Sequence, residues 1–478
     1  MKCGVTDMTS FVFGLIMFLS IVPTIVILYF SMYPRDWKNK ARIYGVNHRP
    51  EFKNTSSEEF IDILVNTHNK QATVLMIGIF AVSLILLFAP GFTIKLVMWT
   101  VFIYIALFAF FVPYILGNSE MKKYKKALGI VSEKVLYADL KNAGGVHALN
   151  KAVLIIANII GIIIFLLSFL IDSGAFPINL GIYNHLYICT ALVGSIVFTN
   201  VIILPIAFIA DNGRNIVISE DSDINANYNR SRKKLFSDME ISVTWVNNAI
   251  AAITLLLFIL FNYEAIMLII FGVYMLVIMF FTGLLVLKNR ALEQKYISEG
   301  SILMEDDDDN WILGIFYYNP KDKRLNVEKR VGMGWTVNAA HPVGILISAI
   351  GVLSIIASLI LLIWIVMMRQ TPIRIIESED NVICHHLRNE YKIEKEDIIS
   401  VEYGNLADIK AVRTAGTGLE NVAKGRFSVD GQSGCTLFLN PSVGKYIKIV
   451  TADKTYYISD NTEDATYKLY NDLADPVH

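Results

Sequence analysis

Residues 71–116 read QATVLMIGIFAVSLILLFAPGFTIKLVMWTVFIYIALFAFFVPYIL, with Lys95 as the only charged side chain. Two apolar blocks, Gln71–Pro90 and Thr93–Leu116, meet at Gly91-Phe92. A helix needs about 20 apolar residues to cross the ~30 Å hydrocarbon core of a bilayer. Lipid offers the peptide groups no hydrogen-bonding partner, so each block must coil into a helix. The short junction makes the pair a tight hairpin whose two outer ends lie on the same side. A membrane β-barrel would show ~10-residue segments of alternating polarity instead.

Working outward, six more blocks of this kind appear, so the fold class is an α-helical polytopic membrane protein with about eight spans. They lie near 11–32, 71–90, 93–116, 152–171, 186–210, 241–261, 265–287 and 343–368. The sixth is the weakest, because Asn247 and Asn248 interrupt it. Composition agrees: 54% of residues are apolar and 18% charged, against about 25% charged in an average soluble domain. The first block is too long for a cleavable signal peptide and lacks a small-residue cleavage site.

Loop charge sets an expected orientation. Basic residues crowd the loops after the first span (Arg35 to Lys70), the third (Lys122 to Lys151), the fifth (Arg214 to Lys234) and the seventh (Lys288, Arg290). The other three loops have no Lys or Arg. Basic loops stay cytoplasmic, so eight spans leave both termini extracytoplasmic in the cell membrane.

Before the last span lies an expected cytoplasmic loop with the acidic run Glu305–Asp309, which reads as a solvated face. The following residues suggest one β-hairpin, pairing Gly314–Tyr318 with Leu325–Val327 across Asn319-Pro320-Lys321-Asp322, since Asn-Pro initiates turns. Its aromatic and basic content suits the lipid headgroup layer.

Past residue 370 the character changes, giving a division into 1–370, the transmembrane domain, and 371–478, a β-rich soluble domain. Strand-like runs occur at Ile373–Ile376, Val382–His385, Ile398–Tyr403, Arg426–Val429, Thr436–Leu439, Tyr446–Val450 and Tyr456–Ile458. Thr462 fits a helix N-cap, with Ala465, Leu469 and Leu473 on one face of a final helix. About seven strands and a closing helix is a pleckstrin-homology-like layout. The segments Arg413–Leu419, Gly425-Arg426-Phe427 and Thr455–Asp460 resemble the bacterial PH domain family.

A second resemblance rests on Trp311–Pro320, where Trp311, Tyr317, Asn319 and Pro320 stand, and on Glu328–Asn338, where Arg330, Gly334 and Trp335 stand. With Tyr44-Gly45-Val46 and Pro50-Glu51 of the first loop, it is similar to a domain family of unknown function in multispanning Firmicutes proteins, several of which contain an SdpI-like module. That resemblance implies immunity against a secreted toxin, or signalling in which a membrane protein captures a repressor. The group's outer loop often carries Ile-Pro-x-His, whereas this chain has Phe176-Pro177-Ile178-Asn179, so no histidine role is carried over.

Intramembrane polar residues are the usual functional suspects. Asn158, Thr199 and Asn200 lie at comparable depth on the fourth and fifth spans. They read either as hydrogen-bond glue between helices or as a substrate path. Cys384 and Cys435 fit a disulfide between strands if the domain is outside. Cys384 with His386 and Cys435 also offers three metal donors, but two ordinary strand residues are the better reading. No nucleotide-binding loop, zinc-protease helix or nucleophile elbow is present. The chain therefore reads as a non-enzyme with no catalytic residues, no metal and no cofactor. Its expected partners are membrane lipids and a protein or peptide at the C-terminal domain, not nucleic acid. Lys122–Lys126 read as topology determinants and lipid contacts. A transporter, or an accessory subunit of a transport complex, is the alternative to signalling.

Overall fold

A computed structural model of the chain describes residues 3–40, 42–130, 147–176, 188–213, 215, 219, 221–261, 264–299, 307–331 and 335–474. Eight long helices dominate it: α1 (Cys3–Met32), α2 (Thr55–Leu86), α3 (Phe92–Ala127), α4 (Lys151–Asp172), α5 (Ile188–Asn212), α6 (Ser222–Phe261), α7 (Glu264–Glu299) and α8 (Pro342–Gln370). Among the described residues, eight helices are long and apolar enough to cross a membrane.

Several helices outrun their apolar blocks. At about 1.5 Å per residue, the 32 residues of α2 reach well past a ~30 Å hydrocarbon core. The extension begins where the Asn54 side chain accepts the Ser57 N–H at 2.8 Å, satisfying one of the unpaired amides of the first turn. Likewise α6 starts at Ser222, and its two central asparagines leave the helix unbroken.

α1, α2 and α3 pack together. α4, α5, α6 and α7 form a second group, and α1 against α7 joins the two. α8 leans on α3, where Tyr104 Oη lies 2.7 Å from Ser358 Oγ; most of its other side chains are uncovered by protein. Large apolar residues facing outward are what lipid-facing helices require. At one end of the bundle, the Lys95 amine donates to Leu87 O at 2.9 Å and to Ser10 O at 3.0 Å, tying α1 to the α2–α3 turn. That turn ends on Gly91, at φ 67°, a conformation glycine adopts without steric cost. This is the hairpin end. The opposite end, holding residues 33–40, 42–54, 307–331 and 335–341, is the basic end.

Three short hairpins close the basic end. β1 (Arg42–Ile43) pairs with β2 (Val46–Asn47). In the second loop the expected single hairpin is corrected to two. β3 (Trp311–Ile312) pairs with β4 (Phe316–Tyr317), and β5 (Asn326–Glu328) pairs with β6 (Trp335–Val337). The reversal falls at Leu313-Gly314, both at positive φ, so the strand before Asn319 turns back on Trp311. The Asn319–Asp322 turn then connects the two hairpins. Buried Asn338 holds it, donating to Asn319 O and Asp322 O and accepting the Asn319 N–H.

Beyond α8 stand nine strands and a helix: β7 (Arg374–Glu377), β8 (Asn381–His386), β9 (Asn389–Glu394), β10 (Ile398–Asn405), β11 (Ala411–Gly418), β12 (Ala423–Val429), β13 (Gln432–Leu439), β14 (Lys445–Thr451), β15 (Thr455–Ile458) and α9 (Glu463–Ala474). β9 and β11 add to the seven expected. β9 is polar on its exposed face and β11 is rich in Gly and Thr, so neither carries an apolar run. The sheets have the orders β7-β8-β9 and β10-β14-β15-β13-β12-β11. Thr462 Oγ1 accepts the Ala465 N–H at 3.2 Å and Leu469 is buried, as the N-cap and amphipathic spacing require.

Candidate functional site

The basic end is built around a buried charge cluster. Arg330 donates to Asp307, Asp308 and the Gly45 carbonyl. Lys125, on α3, donates to Asp308 Oδ2 at 2.7 Å, and the Asn47 amide points at the same carboxylate from 3.3 Å. The Arg330 and Asp308 side chains are each 1% exposed. Burial pushes the Asp308 carboxyl upward, but the charges of Arg330 and Lys125 outweigh it and hold it below the usual aspartate range.

Around this cluster the family-motif residues assemble. The Trp311 ring lies under the Arg330 guanidinium, 5.0 Å to the centroid, and its Nε1 donates to Asp307 Oδ2 at 3.1 Å. Lys122 holds the Trp311 carbonyl at 2.6 Å. Tyr317 is buried; its hydroxyl donates to Asp322 and accepts from Asn319. Pro320 sits in the turn that Asn338 anchors. Trp335 rests near Phe236 of α6, 5.7 Å between ring centroids. Gly334 lies outside the described residues. Asn118 Nδ2 donates to Tyr44 O at 2.7 Å, completing the join between the two loops and α3. The two sequence motifs, about 265 residues apart in the chain, thus form one plate.

Two expectations are corrected here. Within the described part of the acidic run, Asp308 is not on a solvated face, because it is sealed under Arg330 and Lys125, whereas Asp309 is exposed. Within Lys122–Lys126, Lys122 and Lys125 are inward-bound structural donors, not lipid contacts. Sequence reasoning did not find Asp308, Lys125, Asn47 or Asn118. Only the coincidence of an acidic run with conspicuous Arg330 hinted at them.

In the second helix group, Asn200 donates to Asn248 Oδ1 at 2.9 Å and accepts from Asn247 at 2.8 Å. Asn247 also donates to Thr199 Oγ1 at 2.9 Å, and Asn248 donates to Ala157 O at 2.7 Å. Thr199 further meets Tyr274 Oη at 3.0 Å. The two asparagines that weakened the sixth block are therefore the partners of Thr199 and Asn200. Asn158 stands apart from this chain of bonds: its amide donates to Leu154 O of its own helix. Asn200, Asn247 and Asn248 are at most 3% exposed.

Cys384 and Cys435 are free, buried thiols. The expected disulfide is corrected by strand parity. Cys435 faces with Leu437 and Leu439, whereas Phe438 faces the other way. Cys384 packs in the cluster of Phe438, and Cys435 in the cluster of Leu437, so the six-stranded sheet lies between them. Burial pushes the Cys384 thiol up to about 12. His386 does share the inward face of β8 with Cys384. Its Nε2 instead donates to the carbonyls of Met368 in α8 and of Thr371 just past it, at 3.2 and 3.1 Å. Its Nδ1 accepts from Lys424 Nζ at 2.9 Å. These contacts occupy the ring without a metal.

The C-terminal domain is moored at the hairpin end. Besides His386, Asn421 donates to Arg369 O. The Glu420 carboxylate accepts the Phe92 N–H, where the positive end of the α3 dipole favours an anion. A side chain at Gly91 would come within 2.7 Å of Glu420 Oε2.

These features define a multispanning helical membrane protein carrying a PH-like domain on the face opposite its closed plate. Residues 373–471 match the bacterial PH domain family, and residues 320–345 match a family of unknown function (DUF5808). No curated protein and no solved structure matches the chain.

Proposed function

We propose that this is a non-enzymatic envelope protein of the signalling or immunity type, as in SdpI-like systems. Its PH-like domain would stand on the extracytoplasmic side, with both termini, and bind a peptide, lipid or protein there. The basic-end plate would present a fixed surface to a cytoplasmic regulator. One observation carries the reading: the PH-like domain is bonded to α8 through His386 and Asn421 and to the α3 N-terminus through Glu420. Occupancy of that domain would be felt by two membrane helices, because a ligand shifts an equilibrium only through differential contacts.

The test compares the full chain with a variant lacking residues 371–478 and with Glu420→Lys. Survival against envelope-active peptides and the accompanying transcriptional response are measured. Loss of either in both variants supports the proposal, and unchanged survival with unchanged transcription removes it. Transport along the Asn200 face is the weaker reading, since those amides are bonded to one another and nearly inaccessible.

A further inference from the structure

Between the two helix groups, under the plate, lies a cavity of about 120 Å³. Its walls include the end of α1 (Ser31, Met32) and the stretch of α7 where Val286 gives way to Asn289 and Arg290, so it sits where the apolar runs end and the headgroup layer begins. The volume is several times the ~15 Å³ that one water needs. Six cationic residues line it: Lys40, Arg42, Arg232, Arg290, Lys329 and Arg330. Among the lining residues one carboxylate, Glu328, faces them, bonded to Arg232 at 2.7 Å, and Arg330 is also paired with Asp307 and Asp308.

A second observation is independent of charge. The Arg330 side chain is 1% exposed, and its Nε has no hydrogen-bond partner although the terminal nitrogens are engaged. A buried donor without an acceptor is uncommon in folded proteins and marks a place where an acceptor is owed. Guanidinium groups pair with phosphate oxygens in a planar, two-point geometry that ammonium groups lack. Basic pockets between transmembrane helices bind anionic headgroups by the same chemistry.

We propose that this cavity is an anion site that takes a phosphate-bearing group, as an anionic phospholipid headgroup presents it. The ligand bridges the α1–α3 group, the α6–α7 ends and the plate. It holds the seam closed, so the basic end is tightest in an anionic membrane.

The test uses the full-length protein reconstituted in phosphatidylcholine, in phosphatidylcholine with phosphatidylglycerol, and in phosphatidylcholine with inorganic phosphate added. Unfolding temperature and co-purified lipid, read by native mass spectrometry, are compared for three proteins. These are the wild type, the double variant Arg42→Gln/Lys329→Gln, and the control Lys123→Gln on the exposed face of α3. Phosphatidylglycerol should stabilise and co-purify with the wild type and the control, with retention falling about 30-fold in the double variant as two headgroup-depth cations are lost. Stabilisation by inorganic phosphate in the zwitterionic vesicles, without a phosphatidylglycerol effect, keeps the anion site and assigns it to soluble phosphates. Equal retention in the double variant and the wild type overturns the proposal. Should the double variant not fold, the wild type alone decides, because indifference to both probes is equally fatal.

Discussion

Arg330 and Asp308, 22 positions apart in the chain, meet guanidinium to carboxylate with both side chains sealed from solvent. Around that pair close two loops that the chain separates by most of its membrane helices. A buried ion pair is weak evidence for stability in itself, but removing one partner strands the other in a poor solvent for charge.

Asp308→Asn should therefore destabilise the protein by about 3–5 kcal/mol, since it leaves Arg330 and Lys125 without their shared anion. Thermal unfolding in detergent, with limited proteolysis of the loop before α8, measures this. The double variant Asp308→Asn/Lys125→Met should recover part of the loss, because it removes one of the two cations that Asp308 balances. A wild-type melting profile for Asp308→Asn would mean the cluster is not the lock described.

The same carboxyl gives a pH dependence. Its folded value lies below the ordinary aspartate value of about 3.9, so the unfolded chain binds its proton first as pH falls. Its contribution is complete above that ordinary value and is lost as pH drops through the folded one. Plate stability should be flat from neutral pH to about 4 and fall below it. In Asp308→Asn that acid limb should be smaller. An identical acid limb in both proteins would contradict the assignment.

Asn200→Leu should cost roughly 1–3 kcal/mol. It deletes two amide bonds worth roughly 0.6–2 kcal/mol each in a membrane interior, and it leaves Asn247 and Asn248 short of a partner. Gly161→Ala should act on the same cluster, because its Cβ would fall 2.7 Å from Asn248 Oδ1. The unfolding midpoint of the reconstituted protein reports both changes. Unaltered stability in both variants would leave the asparagine network without a structural role.

Neither Cys384 nor Cys435 should react with a thiol reagent in the native protein, and both should react after denaturation without reductant. Burial raises both thiols, and the thiolate is the reactive form. Protection that persists in denaturant until reductant is added would instead reveal a disulfide.

His386→Ala should loosen the C-terminal domain from α8 and expose the 368–373 junction to protease. Burial lowers the His386 value, with Lys424 beside it acting in the same direction. Its neutral ring therefore stabilises the folded state fully above the ordinary histidine value of about 6.5, and that stability is lost as pH falls through the lower folded value. Proteolysis at the junction should rise in mild acid, and a rate independent of pH in the wild type would refute this.

The sequence by itself determined the spans and the change of character after residue 370. Both follow from local physics: unpaired peptide groups are intolerable in lipid, so apolar length alone forces a helix, and strand alternation with turn residues marks a sheet. Helix ends were less legible, because a helix can continue into water when caps such as Asn54 support it. What the tertiary structure alone decided is partnership. Asn247 and Asn248 read as flaws in a span until α5 brings Asn200 to them. Asp308 reads as one of several solvated acids until Arg330 and Lys125 close over it. Cys384 and Cys435 read as a pair until the sheet comes between them. A polar side chain's role depends on what faces it across space, and that information is carried by packing between distant segments rather than by its neighbours in the chain.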